Sequence, residues 1–322
     1  MKNYGGSRFL AVVASVLVAV ASASCDGADG EPDRRAGTSS SATTYPRFDG
    51  AAAFELVERQ VAFGPRVPGT PGHRAMAEWL QEYLSERADT LIVQRFDHVT
   101  VDGETLSLVN YLARFRSIGS SPLLLLAHWD TRPISEQAQD ESDRERPVPG
   151  ANDGASGAAV LLQLADMLHR EAPPRSVDIL LVDGEDYGDF ADGRDVFLGS
   201  RYFAENPPEE YSVEYGVLLD MVGDRDLRLP VEGYSNQRAP EVVDRVWGLA
   251  QRMGFGDVFQ REVGTWVNDD HIPLNDAGIP TINIIDFTYP YWHTPEDTPD
   301  KVSASSLGVV GAVMARLIYG GR

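Results

Sequence analysis

Three apolar runs of this chain, at 123–127, 177–182 and 217–219, stop abruptly at polar clusters. The clusters are His128-Trp129-Asp130, Asp183-Gly184-Glu185-Asp186 and Asp220-Met221, and Asn152-Asp153-Gly154 and Trp292-His293-Thr294 add two more. Buried strands do not end in carboxylates and imidazoles unless something neutralises the charge, because burying an unpaired carboxylate is very costly. A divalent metal does this economically, and oxygen and nitrogen donors of this kind suit zinc. Whole structural units separate Asp153 from Asp186 and Asp220 from His293, so the site has to be assembled by the fold rather than by a local finger loop.

The pattern of elements defines that fold. Continuous apolar runs at 123–127, 177–182, 217–219 and 281–285 read as strands buried on both faces. Residues 51–63, the segment around Met76, Trp79, Leu80, Tyr83 and Leu84, and residues 155–168, 241–253 and 306–319 read as amphipathic helices. Residues 91–101 and 106–115 read as strands joined at Asp102-Gly103. Buried strands alternating with helices predict an α/β three-layer sandwich around a mixed, largely parallel sheet. In such folds ligands sit beyond the C-terminal ends of the strands, where the polar clusters fall.

At 322 residues with 43% hydrophobic content, the chain has ample material for one large core. Its net charge of -21 argues against nucleic acid and anionic membrane surfaces as partners. A solvated acidic surface accounts for the charge; the sharper reading is weak attraction of substrates bearing a free ammonium group. Lys2 and Arg8 followed by an apolar stretch at 9–21 form a signal segment, residues 1–25, too short to span a bilayer comfortably. Cys25, the single cysteine, stands where a bacterial lipoprotein carries its lipidated cysteine, with cleavage after Ala23 as the competing reading. Export follows from either, to the periplasm or cell surface as a lipoprotein or as a secreted protein. Residues 26–46 lack large apolar side chains almost entirely and read as a disordered tether, leaving 47–322 as a single catalytic domain.

Among the clusters, His128 and Asp130 lie two apart on an extended strand and so point to one side. A strand-end histidine also commonly bonds a backbone carbonyl, and both readings stay open. Asp153 precedes a helix, which is equally the pattern of a helix cap. Glycines at 150, 154 and 157 permit close backbone approach, and the matching carboxylates on other strands favour a ligand role. Glu185 and Asp186 can divide roles, one holding metal while its neighbour faces substrate as a proton carrier; an acidic surface turn competes. Asp220 sits among apolar residues and is not a solvated group. His293 has the commonest metal-ligand side chain, with Trp292 as an apolar wall. His73, His98 and His169 lack such company and read as structural or solvated. Cys25 lies in the signal segment, and no nucleophile elbow, phosphate loop or dinucleotide fingerprint occurs.

These motifs resemble metallopeptidase family 28, a group of zinc exopeptidases that includes aminopeptidases and zinc-dependent glutaminyl cyclases. The match runs from Phe63-Gly64-Pro65-Arg66-Val67-Pro68-Gly69 to Trp292-His293-Thr294. Ala127-His128-Trp129-Asp130-Thr131-Arg132-Pro133, Gly150-Ala151-Asn152-Asp153-Gly154 and Asp183-Gly184-Glu185-Asp186-Tyr187-Gly188 are similar to the bacterial cyclase branch, as are Leu198-Gly199-Ser200-Arg201 and Asp269-Asp270-His271. The resemblance implies the zinc exopeptidase (phosphorylase/hydrolase-like) fold, with zinc on Asp153, Asp186 and His293. It implies Glu185 as acid/base, Asp220 and Asp269 in a carboxylate network with it, and Trp292 against the substrate. In the aminopeptidase branch His128 and Asp220 would bind a second zinc bridged by Asp153, with Asp130 beside them. Asp186 replaces the commoner Glu, and Asn283 stands where animal cyclases have a histidine.

The expected function is conversion of N-terminal glutamine of peptides or proteins to pyroglutamate by a monomeric one-zinc enzyme that meets membranes only through Cys25. A one- or two-zinc aminopeptidase is the alternative. A binding module with a lost metal is a third reading, against which every ligand position is filled. The insertion between His128 and Asp153, rich in Glu, Asp and Arg, leans away from the aminopeptidases, which look shorter there.

Overall fold

Asp49 caps the first helix, α1 (Gly50–Val61), by accepting from the amides of Ala51 and Ala52, and Thr70 caps α2 (Pro71–Ser85). The hairpin follows as β1 (Thr90–Val99) and β2 (Thr105–Phe115), turning at Gly103, whose φ of 85° needs a residue without Cβ. The apolar runs become β3 (Leu123–His128), β4 (Val177–Val182) and β5 (Tyr215–Asp220), with α3 (Ala155–Arg170) between the first two. In the computed structural model residues 45–116 and 121–320 are described. The expected signal segment, Cys25 and all but the end of the tether lie outside the described residues.

Short elements that periodicity does not reveal complete the second half. They are α4 (Leu198–Glu205), β6 (Leu229–Val231), α5 (Gly233–Arg238), β7 (Phe259–Val263) and α7 (His271–Asp276). The helices α6 (Pro240–Arg252) and α8 (Ala304–Tyr319) and the apolar strand β8 (Thr281–Ile285) stand within two residues of their expected bounds. Three to eight residues without a continuous apolar run are too few to display one face of a helix or strand clearly. Among the described residues no helix is long and apolar enough to cross a membrane.

The main sheet runs β1-β2-β4-β3-β5-β8. β1, β2 and β4 pair antiparallel, whereas β4, β3, β5 and β8 are parallel throughout. Alternation sends Leu123, Leu125 and Ala127 of β3 into the core beneath α1, α3 and α8, and Leu124 and Leu126 into a second core with Phe203 and Leu274. Two apolar faces require cover on both sides, which makes the three layers. Because β3, β4, β5 and β8 run the same way, their polar ends emerge along one edge. His128 is level with Val182, and Asp220 with Ile285.

The close approach anticipated at Gly157 is to backbone. A Cβ there would lie 2.0 Å from the Leu219 carbonyl oxygen, so the glycine lets α3 settle on β5 directly behind Asp220. Gly157→Ala is therefore expected to destabilise the fold by about 1–3 kcal/mol, the usual cost of forcing a methyl into packed structure. Urea unfolding measures it, and an unchanged midpoint would refute the contact.

Candidate active site

The turn between β3 and α3 answers the open question about Asp153. Gly154, at φ 88°, is the N-cap of α3 and makes no side-chain cap, so Asp153 is not spent on the helix. Asp297 accepts from the amides of Asn152 and Asp153 at 2.8 and 3.0 Å, fixing the turn. One Asp153 oxygen lies 3.2 Å from His128 Nε2, and the other 3.7 Å from His293 Nε2. His293 Nε2 is 3.2 Å from Asp186 Oδ1, and His128 Nε2 is 3.2 Å from Asp220 Oδ1. Two trios result, Asp153–Asp186–His293 and His128–Asp153–Asp220, each with its donor atoms within 4.8 Å of one another. His293 and Met221, the residue after Asp220, hold left-handed backbones at φ 54° and 46°. Such conformations in non-glycine residues recur at functional sites.

Asp130 lies beside the His128 ring, 3.6 Å from Nδ1, and also supports the next segment. Its oxygens accept from the amides of Glu185 and Asp186 at 3.1 and 3.2 Å, so it shapes the segment that presents both carboxylates. Asp183 turns the other way, to His73 at 2.9 Å and to the Val109 amide. His73 is structural, as expected, but it has a buried carboxylate partner 110 residues away that its sequence neighbours do not announce. Asp220 is bonded to His128. Asp269 accepts from Asn283 Nδ2 at 2.6 Å and from the Asp270 amide. The asparagine thus makes its own bond in the network, while Asp269 neighbours Glu185 and Asp220 through charge.

All these groups are almost wholly buried. Burial pushes the Glu185 carboxyl well above its ordinary range; His128 opposes this, and the charges of Asp186, Asp269 and Asp270 add to it. Burial likewise raises Asp186 to about 6, against the pull of His293. Asp153 is also driven up by burial, but His128 and His293 outweigh that and hold it below its usual value. His293 is disfavoured as a cation by burial, yet Asp186, Glu136 and Asp153 lift it to about 9. Asp153 Oδ2 and Asp186 Oδ2 are buried with no hydrogen-bond partner. Buried carboxylate oxygens left without a partner are what a bound cation would satisfy. Donors around a tetrahedral zinc stand roughly 3.3–3.6 Å apart, given bonds of about 2.0–2.2 Å, and the histidine–carboxylate separations here, 3.2 to 3.7 Å, are close to that. The residues fit zinc.

Beside the trios is a cavity of about 190 Å³, reached by Glu185, Asp269, Trp292, Phe190, Trp266 and Phe287. Trp292 stacks on His293 with ring centroids 3.9 Å apart and tilts against Phe287 at 5.0 Å. Trp292 thus forms one wall of the cavity. Phe190, Trp266 and Phe287 were not foreseen, because single aromatics in irregular segments carry no periodic signal. Glu136 was also missed; its carboxylate receives the other ring nitrogen of His293 at 2.6 Å. The acidic and basic composition of the insertion was the one sign of it.

The same architecture recurs in known proteins. The model of peptidase family M28 matches residues 110–318. A glutaminyl-peptide cyclotransferase of Drosophila melanogaster is 26% identical over 264 residues, covering 74% of this chain and 72% of its own length. The crystal structure of the Bacteroides thetaiotaomicron glutaminyl cyclase bound to N-acetylhistamine superposes with a TM-score of 0.82 at 36% identity, covering 87% of this chain and all of that one. A Zn-dependent exopeptidase from Parabacteroides distasonis gives 0.82 at 34% identity over 86% of this chain and all of its own. These likenesses span the parallel sheet and the edge on which both trios stand, and the chain belongs to peptidase family M28.

Proposed function

We propose that this protein is a zinc-dependent glutaminyl-peptide cyclotransferase that converts an N-terminal glutamine to pyroglutamate and releases ammonia. The observation that carries the reading is the small aromatic-walled cavity in which Glu185 and Trp292 meet Asp153 and His293 of the Asp153–Asp186–His293 trio. It stands on a scaffold 36% identical to a bacterial glutaminyl cyclase.

Asp153, Asp186 and His293 would hold the zinc. Bound there, zinc supplies a Lewis acid for the γ-carboxamide oxygen and neutralises buried carboxylate charge. Trp292, Phe190 and Phe287 wall the cavity so that the glutamine side chain folds back onto its own amine. Holding the reacting atoms together contributes about 7 kcal/mol or more in well-oriented systems. The α-amine nitrogen attacks the γ-carbonyl carbon, and the bond from that carbon to the amide nitrogen breaks. Glu185 takes the proton from the attacking amine and returns it to the departing nitrogen, so no net proton is consumed. Its carboxyl, raised by burial, holds a proton more readily than a solvated carboxylate does, which suits that exchange.

A zinc aminopeptidase is the second reading, and the His128–Asp153–Asp220 trio favours it. His128, Asp153 and Asp220 would hold a second ion, which would supply activation of a water, and Glu185 would take that water's proton. Mass spectrometry separates the two. Offered Gln-Ala-type and Leu-Ala-type peptides, the enzyme is expected to lower the mass of the first by one ammonia and to leave both peptide bonds intact. Zinc-dependent release of free leucine would overturn the cyclase reading and leave the fold standing.

A further inference from the structure

The loop at 131–149 separates β3 from the Asp153 turn and is the insertion noted in the sequence. It is tied to itself rather than draped over the surface. The Ser135 amide donates to the Arg144 carbonyl at 2.9 Å, Ser135 Oγ to the Arg146 carbonyl at 2.8 Å, and the Val148 amide to the Arg132 carbonyl at 3.0 Å. Ser135 is fully buried and Arg132 is 5% exposed, so the loop is anchored by its first residues.

That anchored loop grips His293 twice. The Gln137 amide donates to the His293 carbonyl at 3.2 Å. With His293 Nε2 turned toward Asp153 and Asp186, Nδ1 is left to donate to Glu136 Oε1, at 2.6 Å. Glu136 is itself clamped: Arg132 Nε reaches both of its oxygens at 2.8 Å. The Arg132 Nη1 donates to the carbonyls of Asp186 and Gly188 at 3.2 and 3.0 Å and lies 3.4 Å from Asp186 Oδ1. A continuous path therefore runs His293–Glu136–Arg132–Asp186 and ties together two members of one trio. His293 needs such support, because a left-handed backbone persists only where its surroundings over-determine it.

We infer that Glu136 is a positioning residue for His293, and that the 131–149 loop exists to hold the His293–Asp186 pair in place for the metal. An imidazole that gives its far N–H to a carboxylate has a fixed tautomer and ring orientation and is a better donor at its near nitrogen. The inference rests on the zinc-ligand assignment but not on which reaction the enzyme performs.

Zinc affinity, measured by competition with a chromophoric chelator on the full chain, tests it without any substrate. Glu136→Ala is expected to weaken zinc retention about 10- to 100-fold, the usual effect of deleting such a partner. Glu136→Gln keeps an acceptor oxygen and should fall between the wild type and Glu136→Ala; it also serves if the alanine variant does not fold. The unfolding midpoints of the zinc-free proteins should agree. Wild-type affinity in Glu136→Ala, equal losses in both variants, or a zinc-free midpoint lowered as far as the zinc-loaded one would each overturn the inference. Should the wild type itself retain no zinc, the ligand assignment falls first and the inference with it.

Discussion

Glu185→Gln is expected to lower turnover on an N-terminal glutaminyl peptide about 100-fold or more, with zinc content unchanged. The substitution keeps the shape of the side chain and its hydrogen-bonding capacity but removes the group that accepts a proton. The backbone should not move, because the Glu185 amide is held by Asp130 and this bond does not involve the side chain. The ligand trio is likewise complete without residue 185. Steady-state kinetics beside elemental analysis of the same preparation checks both halves. Near-normal turnover in zinc-replete Glu185→Gln would remove Glu185 from the proton path and require another base.

The second large effect concerns Asp153, the residue common to both trios. Asp153→Ala is expected to strip zinc from the protein and reduce activity to below roughly a hundredth, whichever count of metals holds, since activation at the reacting centre is lost with the ion. His128→Ala discriminates where Asp153→Ala cannot. Under the one-zinc reading it leaves about one zinc per chain, because His128 belongs only to the trio with Asp220. A wild type holding two zincs, with one lost in His128→Ala, would favour the aminopeptidase. Retention of full zinc by Asp153→Ala would dismantle the ligand assignment itself.

Both experiments depend on features that differ in how far they are written into the chain. Local burial leaves a mark on sequence, so residues 123–127, 177–182 and 281–285 were legible as strands buried on both faces. So were the polar residues that interrupt them, and a parallel arrangement of such strands sends those residues to one edge. The gathering of Asp153, Asp186 and His293 was foreseeable to that extent, and the family motifs supplied the roles expected of them.

Tertiary structure alone decided what surrounds these side chains. Whether Asp153 caps α3 or faces the histidines turned on Gly154 taking the cap position. Spacing placed Asp130 beside His128, where it stands, but only the folded turn after β4 brings the Glu185 and Asp186 amides onto it. His73 meets Asp183 across 110 residues, and Glu136 meets His293 across 157. Periodicity reports which face of a segment is buried and is blind to which distant side chain waits there. That choice belongs to chain topology and to irregular loops, where a single carboxylate at the right distance differs in no local way from one in solvent.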